Sequence, residues 1–330
     1  MALIAVIALS VVGTVLVLRP ESNSDAGGGD NGGGNPPTSA TSQNGKSEFA
    51  SANDTGPVNV ITEDPTCAAW TRVGREYADK LASVGWDKSD NSIPASAWTA
   101  EYRTMYETVR SAMNRIADQV APLAKQTPHR VSRELYQQFI AYTKTFSSKI
   151  PAYVPDDRKF AVVSDAIGNG LNNICSAISF GSIQPVAPSL DLPEAPSGLA
   201  AISDGEPSTL FVGTPTPACD AWAMKITEFD TKIAEWLALD PQIPAADWTP
   251  EQRRVNEDVL PVMTENAAAL MAIGRQSRNP VFEDIATLAS QYRRAFVVAA
   301  PTYTVADNYL SEAAAFLSKT INLACSAAGQ

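Results

Sequence analysis

The chain carries one sequence unit twice, and this repetition limits the folds open to it. Residues 93–103, Ile-Pro-Ala-Ser-Ala-Trp-Thr-Ala-Glu-Tyr-Arg, return at 243–253 as Ile-Pro-Ala-Ala-Asp-Trp-Thr-Pro-Glu-Gln-Arg. A Cys-X-X-Trp motif precedes each stretch, and an Asn-X-X-Cys-Ser motif closes each copy. Self-similarity at a fixed period indicates a repeated structural unit. A chain of 330 residues is also long enough for two cores, so we expect two copies of one domain.

Apolar residues in both copies recur at the three- and four-residue spacing of amphipathic helices. Each copy contains four such stripes, and neither contains an alternating strand pattern of useful length. Thr99 and Thr249 are placed to cap the second helix of each copy, whereas Pro122 and Pro261 fall inside that helix and are expected to kink or end it. The sequence therefore predicts an all-α protein with two tandem four-helix bundles, related by internal duplication.

The four cysteines lie at the start and end of the two copies, as Cys67 and Cys175 and as Cys219 and Cys325. Their wide spacing is unlike that of zinc ligands, which come in close pairs. Three disulfide pairings are open to four cysteines, and the duplication favours a bridge within each copy, from the first helix to the last. Disulfides of this kind are typical of oxidising compartments; four reduced, buried thiols are the alternative.

Residues 2–18 contain no charged side chain and are near the lower length limit of a membrane-spanning helix. No basic residue precedes this run and no Ala-X-Ala follows it, which favours an uncleaved anchor over a cleaved signal peptide. We therefore expect a transmembrane anchor over residues 1–19 in contact with the lipid bilayer. A Gly-, Ser-, Asn- and Pro-rich stretch follows, and we expect it to form a disordered tether over residues 20–64.

The remaining boundaries place helical repeats at residues 65–179 and 218–330, separated by a Pro-rich linker over 180–217. The anchor and the disulfides together predict a single-pass protein of a bacterial cytoplasmic membrane, with its C-terminal domains outside the cytoplasm. This layout resembles that of anchored envelope proteins of high-GC bacteria, although the likeness is one of layout and involves no shared motif.

The sequence offers little material for catalysis. His129 is the only histidine, and phosphate-binding loops, dinucleotide fingerprints and nucleophile elbows are absent from the sequence. Neighbouring carboxylates on one helix do not face each other, so they are poor candidates for the acid and the base of a catalytic pair. We therefore expect no enzyme, cofactor or metal site. The net charge of −11 and the lack of a basic run also argue against nucleic acid as a partner.

A Trp, a Glu and an Arg are kept at the same places in both copies of the repeated stretch. These residues, Trp98, Glu101, Arg103, Trp248, Glu251 and Arg253, are the candidate binding residues of the chain. Two interpretations are open for them. They form a binding site, or they serve capping and packing, with each tryptophan ring against the arginine of its own helix.

Two functions follow from this layout. The first is a helical-repeat module of the cell envelope that mediates protein–protein interaction or scaffolding, since two linked copies raise the effective concentration at a partner. The alternative is a binding or carrier protein for a small apolar ligand, which would need a lined cavity with a few polar groups.

Overall fold

The computed structural model describes residues 48–202 and 209–329, and within these ranges the chain folds into helices and turns without a strand. The longer helices are α1 (Cys67–Ala82), α2 (Ala100–Gln126), α3 (Arg130–Lys149) and α4 (Arg158–Ser179) in the first copy. In the second copy they are α5 (Pro217–Lys232), the short α6 (Ala234–Leu237), α7 (Pro250–Gln276), α8 (Pro280–Ala299) and α9 (Asn308–Ala327). The all-α prediction is confirmed for these residues.

Four helices of the first copy have a counterpart that begins 150 residues later: 67 and 217, 100 and 250, 130 and 280, 158 and 308. Both predicted caps form, because the hydroxyl of Thr99 accepts from the amide of Tyr102, and Thr249 makes a reciprocal pair of bonds with Gln252. The internal prolines do not end α2 or α7. Both rings lie on the exposed face, where water can hydrate the carbonyl that lost its amide partner.

Helices α4 and α9 pack along each other and bring the two copies into contact. Gly170 lies at this contact, where an added Cβ would make an ordinary van der Waals contact with Leu317 at 3.5 Å. The buried apolar side chains around this contact form one cluster that includes both first-helix tryptophans, Trp70 and Trp222. A second, smaller cluster surrounds Trp86 and Trp98 in the first copy. The copies therefore share part of their apolar core, and the division into two separate bundles stays a prediction.

Two disulfide bonds join the first and last helices of each copy, Cys67 to Cys175 and Cys219 to Cys325. Their Cα atoms lie 5.3 and 5.5 Å apart, within the usual range for such bridges. The pairing favoured by the duplication is thus confirmed. All four sulfur-bearing side chains are buried, so each bridge lies inside the helical core.

The segment before α1 is packed against the helices from residue 48 onward. Val58, Val60 and Ile61 are buried in the main apolar cluster, and Asp54 accepts a hydrogen bond from the amide of Arg130 at the start of α3. The tether predicted for residues 20–64 is therefore corrected for its last part, because burial of these three apolar side chains favours the packed segment over a disordered one. Its earlier part lies outside the described residues.

The predicted localisation is also corrected. Within residues 48–202 and 209–329, no helix has both the length and the apolar composition needed to cross a bilayer. The prediction of a single-pass membrane protein is therefore wrong for the part of the chain that the structure describes. The run that motivated it, residues 2–18, lies outside that part. Its predicted contact with lipid is not shown.

Candidate functional site

The repeated stretch folds in the first copy into a tight turn that is fastened to the start of α2. The indole Nε1 of Trp98 donates to the carbonyl of Ile93 at 2.9 Å, and Arg103 Nη2 donates to the carbonyl of Ala95 at 3.4 Å. The guanidinium carbon lies 6.0 Å from the Trp98 ring, which also stacks on Tyr106 at 3.9 Å between centroids. Turn, tryptophan and arginine therefore hold one another in place.

The second copy repeats this arrangement. Trp248 donates to the carbonyl of Ile243 at 2.9 Å, Arg253 donates to the carbonyl of Ala245 at 3.0 Å, and guanidinium and ring are 5.8 Å apart. In each copy the turn amide also donates to the carbonyl of a tyrosine, Tyr153 or Tyr303, whose ring stacks on the tryptophan. The tryptophan and the arginine therefore make packing contacts of similar geometry in both copies.

The two glutamates are not drawn into these clusters. Glu101 is exposed in the first turn of α2, where hydrogen bonds from its own amide and from Thr99 lower its pKa. Glu251 is exposed on α7 and pairs with Arg254 at 2.7 Å. The structure thus brings each tryptophan to its own arginine and leaves the glutamates at the surface. A binding role for the six residues stays a prediction.

An open groove runs between α1 and α2, with a volume of about 720 Å³. On α2 its wall extends from Arg103 to Gln119, about 24 Å at 1.5 Å per residue. The charged side chains of its walls are Glu76, Lys80, Arg103, Glu107 and Arg115. The groove therefore carries one more positive than negative charge, in a chain whose net charge is −11. Arg103 belongs both to the turn and to this groove.

The corresponding space in the second copy is crossed by ion pairs. Lys232 at the end of α5 lies 2.7 Å from Glu228 on its own helix and 3.9 Å from Glu265 on α7. Arg254 on α7 reaches Glu235 of α6 at 2.9 Å. Glu265 stands 150 residues after the groove residue Arg115, so one position carries opposite charges in the two copies.

Tyr77 contributes to the floor of the groove. Its hydroxyl is buried without a hydrogen-bond partner among the described residues, and burial together with the charge of Asp165 raises its pKa above the ordinary value. Burial raises the pKa of Asp165 to about 6, although the charges of Arg158 and Lys319 act in the opposite direction. Asp165 is thus a carboxyl group that the fold makes costly to ionise.

Replacing Asp165 with asparagine is expected to stabilise the protein above pH 6. The folded-state pKa of about 6 exceeds the ordinary 3.8, so wild-type stability falls as pH rises from about 4 through 6. Asparagine cannot ionise, and at pH 7.5 the variant should be more stable by about 1–3 kcal/mol. Urea unfolding at pH 4 and pH 7.5 measures this, with a negligible difference expected at pH 4.

Asp156→Asn is the matched control for this pair of measurements. Asp156 is 80% exposed and pairs with Lys159 at 2.9 Å, so its replacement should change stability by less than about 0.5 kcal/mol at either pH. An Asp165→Asn variant that is no more stable than the wild type at pH 7.5 would contradict the assignment.

A cluster of buried charges lies where α3 meets α8. Arg130 Nε contacts Asp284 Oδ2 at 2.6 Å, and both side chains are almost fully buried. Glu134 is buried beside them, and burial with the neighbouring carboxylate of Asp284 raises its pKa well above the ordinary range. Glu134 and Asp284 occupy equivalent positions of the two copies, 150 residues apart. Sequence reasoning missed this cluster, although two acids at matching places beside apolar stripe residues were a signal.

Residues 48–202 and 209–329 contain no group of three or more His, Cys, Asp or Glu side chains arranged to hold a metal ion. His129 precedes α3, and its ring Nε2 lies 2.8 Å from the carbonyl of Glu63.

Comparison with known proteins identifies relatives over nearly all of the described residues. A protein family described as mycobacterial ESX-1 associated protein matches residues 49–329. An uncharacterized protein of Mycolicibacterium smegmatis (strain MKD8) is 43% identical over 282 residues, which cover 86% of this chain and 74% of that protein. No solved structure matches the chain. Because the family match covers most of the sequence, the chain belongs to the family of mycobacterial ESX-1 associated proteins.

Proposed function

We propose that this chain is a protein-binding module associated with the ESX-1 secretion system, and that the groove between α1 and α2 receives a helix of its partner. The family description supports an association with that system and so a protein partner. The observation that carries the proposal is the groove itself. Its length of about 24 Å matches some four turns of helix, the usual dimension of helix-in-groove recognition.

The charges of the groove define the chemistry of the partner. Lys80, Arg103 and Arg115 line the groove together with Glu76 and Glu107. Arg103 and Arg115 lie about 18 Å apart along α2. A partner helix with carboxylates about eleven residues apart on one face would meet both arginines with charge-assisted hydrogen bonds. The five charged side chains in the walls of the groove favour a protein surface as the partner. The alternative, a small apolar ligand, prefers an enclosed apolar cavity.

The two copies would then have separate roles. The matching helix starts and the similar Trp–Arg turns support an internal duplication that produced two related four-helix units. Ion pairs from α5 and α6 to α7 tie the second unit together where the first leaves its groove open. On this proposal the second copy acts as a support, and the first copy provides the binding surface.

Site-specific photo-crosslinking in mycobacterial cells with an ESX-1 system tests this proposal. Glu107 and Glu257 are exposed and occupy equivalent positions on α2 and α7, but only Glu107 lines the groove. With a photoreactive phenylalanine at 107, we expect an adduct that contains an ESX-1 component, at least tenfold more abundant than with the same group at 257. The change Arg115→Glu should reduce it several-fold. Equal amounts of adduct at both positions, or no adduct with an ESX-1 component, would contradict the proposal that the groove binds the partner.

A further inference from the structure

Residues 191–197, here named the strap, cross the outside of α7 and α8 without helix or strand structure. Side chains of the two helices hold the main chain of the strap at three places. Gln291 Nε2 donates to the carbonyl of Asp191 at 3.1 Å, and Arg275 Nη2 donates to the carbonyl of Ala195 at 2.6 Å. The amide of Ser197 donates to Glu283 Oε1 at 3.0 Å. Three helix side chains therefore bind two main-chain carbonyls and one main-chain amide of the strap.

This pattern is the one by which proteins bind extended peptides. Bonds to main-chain groups give affinity with little dependence on sequence, and side-chain contacts add selectivity. Here the selective contacts are an ion pair between Glu194 and Arg275, and a bond from the hydroxyl of Ser197 to Glu283. The strap is a Pro-X-X-Pro segment, Pro193-Glu-Ala-Pro196, and both prolines face the helices. The strap is thus bound as a ligand would be.

The strap fills its site incompletely. A space of about 280 Å³ remains between it and the helices, bordered by Pro193, Pro196, Met271 and Thr287. Pro193 is the only strap residue that is buried, whereas Leu192 is 66% exposed and the side chain of Glu194 is 82% exposed. Little apolar surface would be exposed if the strap left, so its local opening costs far less than global unfolding.

We propose that the face of α7 and α8 beneath the strap is a peptide-binding site, held by the chain's own segment in this structure and open to an extended Pro-X-X-Pro segment of a partner protein. An acidic residue directly after the first proline would pair with Arg275, as Glu194 does. This site is separate from the groove between α1 and α2, so the proposal does not depend on the function proposed above.

Binding of the strap as a free peptide tests this proposal. In the full chain, residues 192–197 are replaced by glycine and serine, and a labelled peptide of residues 190–198 is titrated by fluorescence anisotropy. We expect saturable binding that is at least tenfold tighter than to the unaltered chain, whose site is already filled. Arg275→Ala in the altered chain should weaken binding at least tenfold, and so should Glu194→Lys in the peptide. Arg254→Ala, on α7 but in contact with α6, should leave binding unchanged.

Two results would overturn the proposal. One is the absence of saturable binding to an altered chain that keeps its helical circular dichroism and a cooperative thermal transition. The other comes from hydrogen exchange on the unaltered chain, where the Ser197 amide should exchange at least a hundredfold faster than the core amides of α8. If it exchanges only with global unfolding, the strap is a fixed part of the fold and the site is not exchangeable.

Discussion

Replacing Arg130 with methionine is expected to lower the free energy of unfolding by about 3–5 kcal/mol, which is a large part of the stability of a typical domain. The arginine is the partner of a carboxylate that the fold has taken out of water, since the Asp284 side chain is 1% exposed. Methionine fills a similar volume but leaves that carboxylate without its charged partner. Urea unfolding at neutral pH measures the loss.

The bonds around Arg130 explain why the loss is expected to be this large. Besides the two contacts with Asp284, its guanidinium donates to the carbonyls of Asp54 at 2.6 Å and of Gly56 at 3.1 Å. One side chain thus joins α3, α8 and the segment before α1. Burial and the neighbouring Asp284 carboxylate raise the pKa of Glu134, so a second negative charge beside Asp284 is costly.

Two further variants separate the ion pair from simple damage to packing. The double variant Arg130→Met with Asp284→Leu removes both charges and should recover part of the loss, because an apolar pair needs no compensation. Arg110→Met is the control at a partly exposed position, since the Arg110 side chain is 40% exposed and pairs with Glu107 at 3.4 Å, and it should cost less than about 1 kcal/mol. A loss under 1 kcal/mol for Arg130→Met itself would show that water reaches Asp284.

Loss of either disulfide is expected to destabilise the protein by about 2–5 kcal/mol. The bridges close loops of nearly equal length, with sequence separations of 108 and 106 residues, so the two losses should be similar. The physical reason is that an intact bridge restricts the unfolded chain and so lowers its conformational entropy. Denaturant unfolding of Cys67→Ser with Cys175→Ser, and of Cys219→Ser with Cys325→Ser, measures each loss.

Because the four cysteines are buried, the conditions under which the disulfides can be reduced provide a second test. Cys219 and Cys325 are at most 1% exposed, and Cys67 and Cys175 are at most 8% exposed. A mild reductant should therefore leave both bridges intact in the folded protein and open them only as denaturant exposes them. Rapid reduction in native buffer, or serine variants as stable as the wild type, would contradict this account.

The helices and the disulfide pairing could be predicted from the sequence because their causes are local or repeated. The spacing of apolar residues by three and four defined α1 to α4, and the caps at Thr99 and Thr249 formed as expected. The duplication singled out one pairing of the cysteines. Among the candidate site residues, each tryptophan and arginine pair was also foreseeable, because Trp98 and Arg103 are only five residues apart.

Only the tertiary structure decided the features that depend on which helix faces meet. The amphipathic pattern says that α3 buries a face, but it does not say that Arg130 on α3 reaches Asp284 on α8, 154 residues away. Nor could the spacing predict that α1 and α2 leave a groove where α5 and α7 are joined through Lys232 and Glu265. The sequence determined the helices because contacts within a helix recur at fixed intervals, whereas contacts between helices depend on surfaces formed by distant residues.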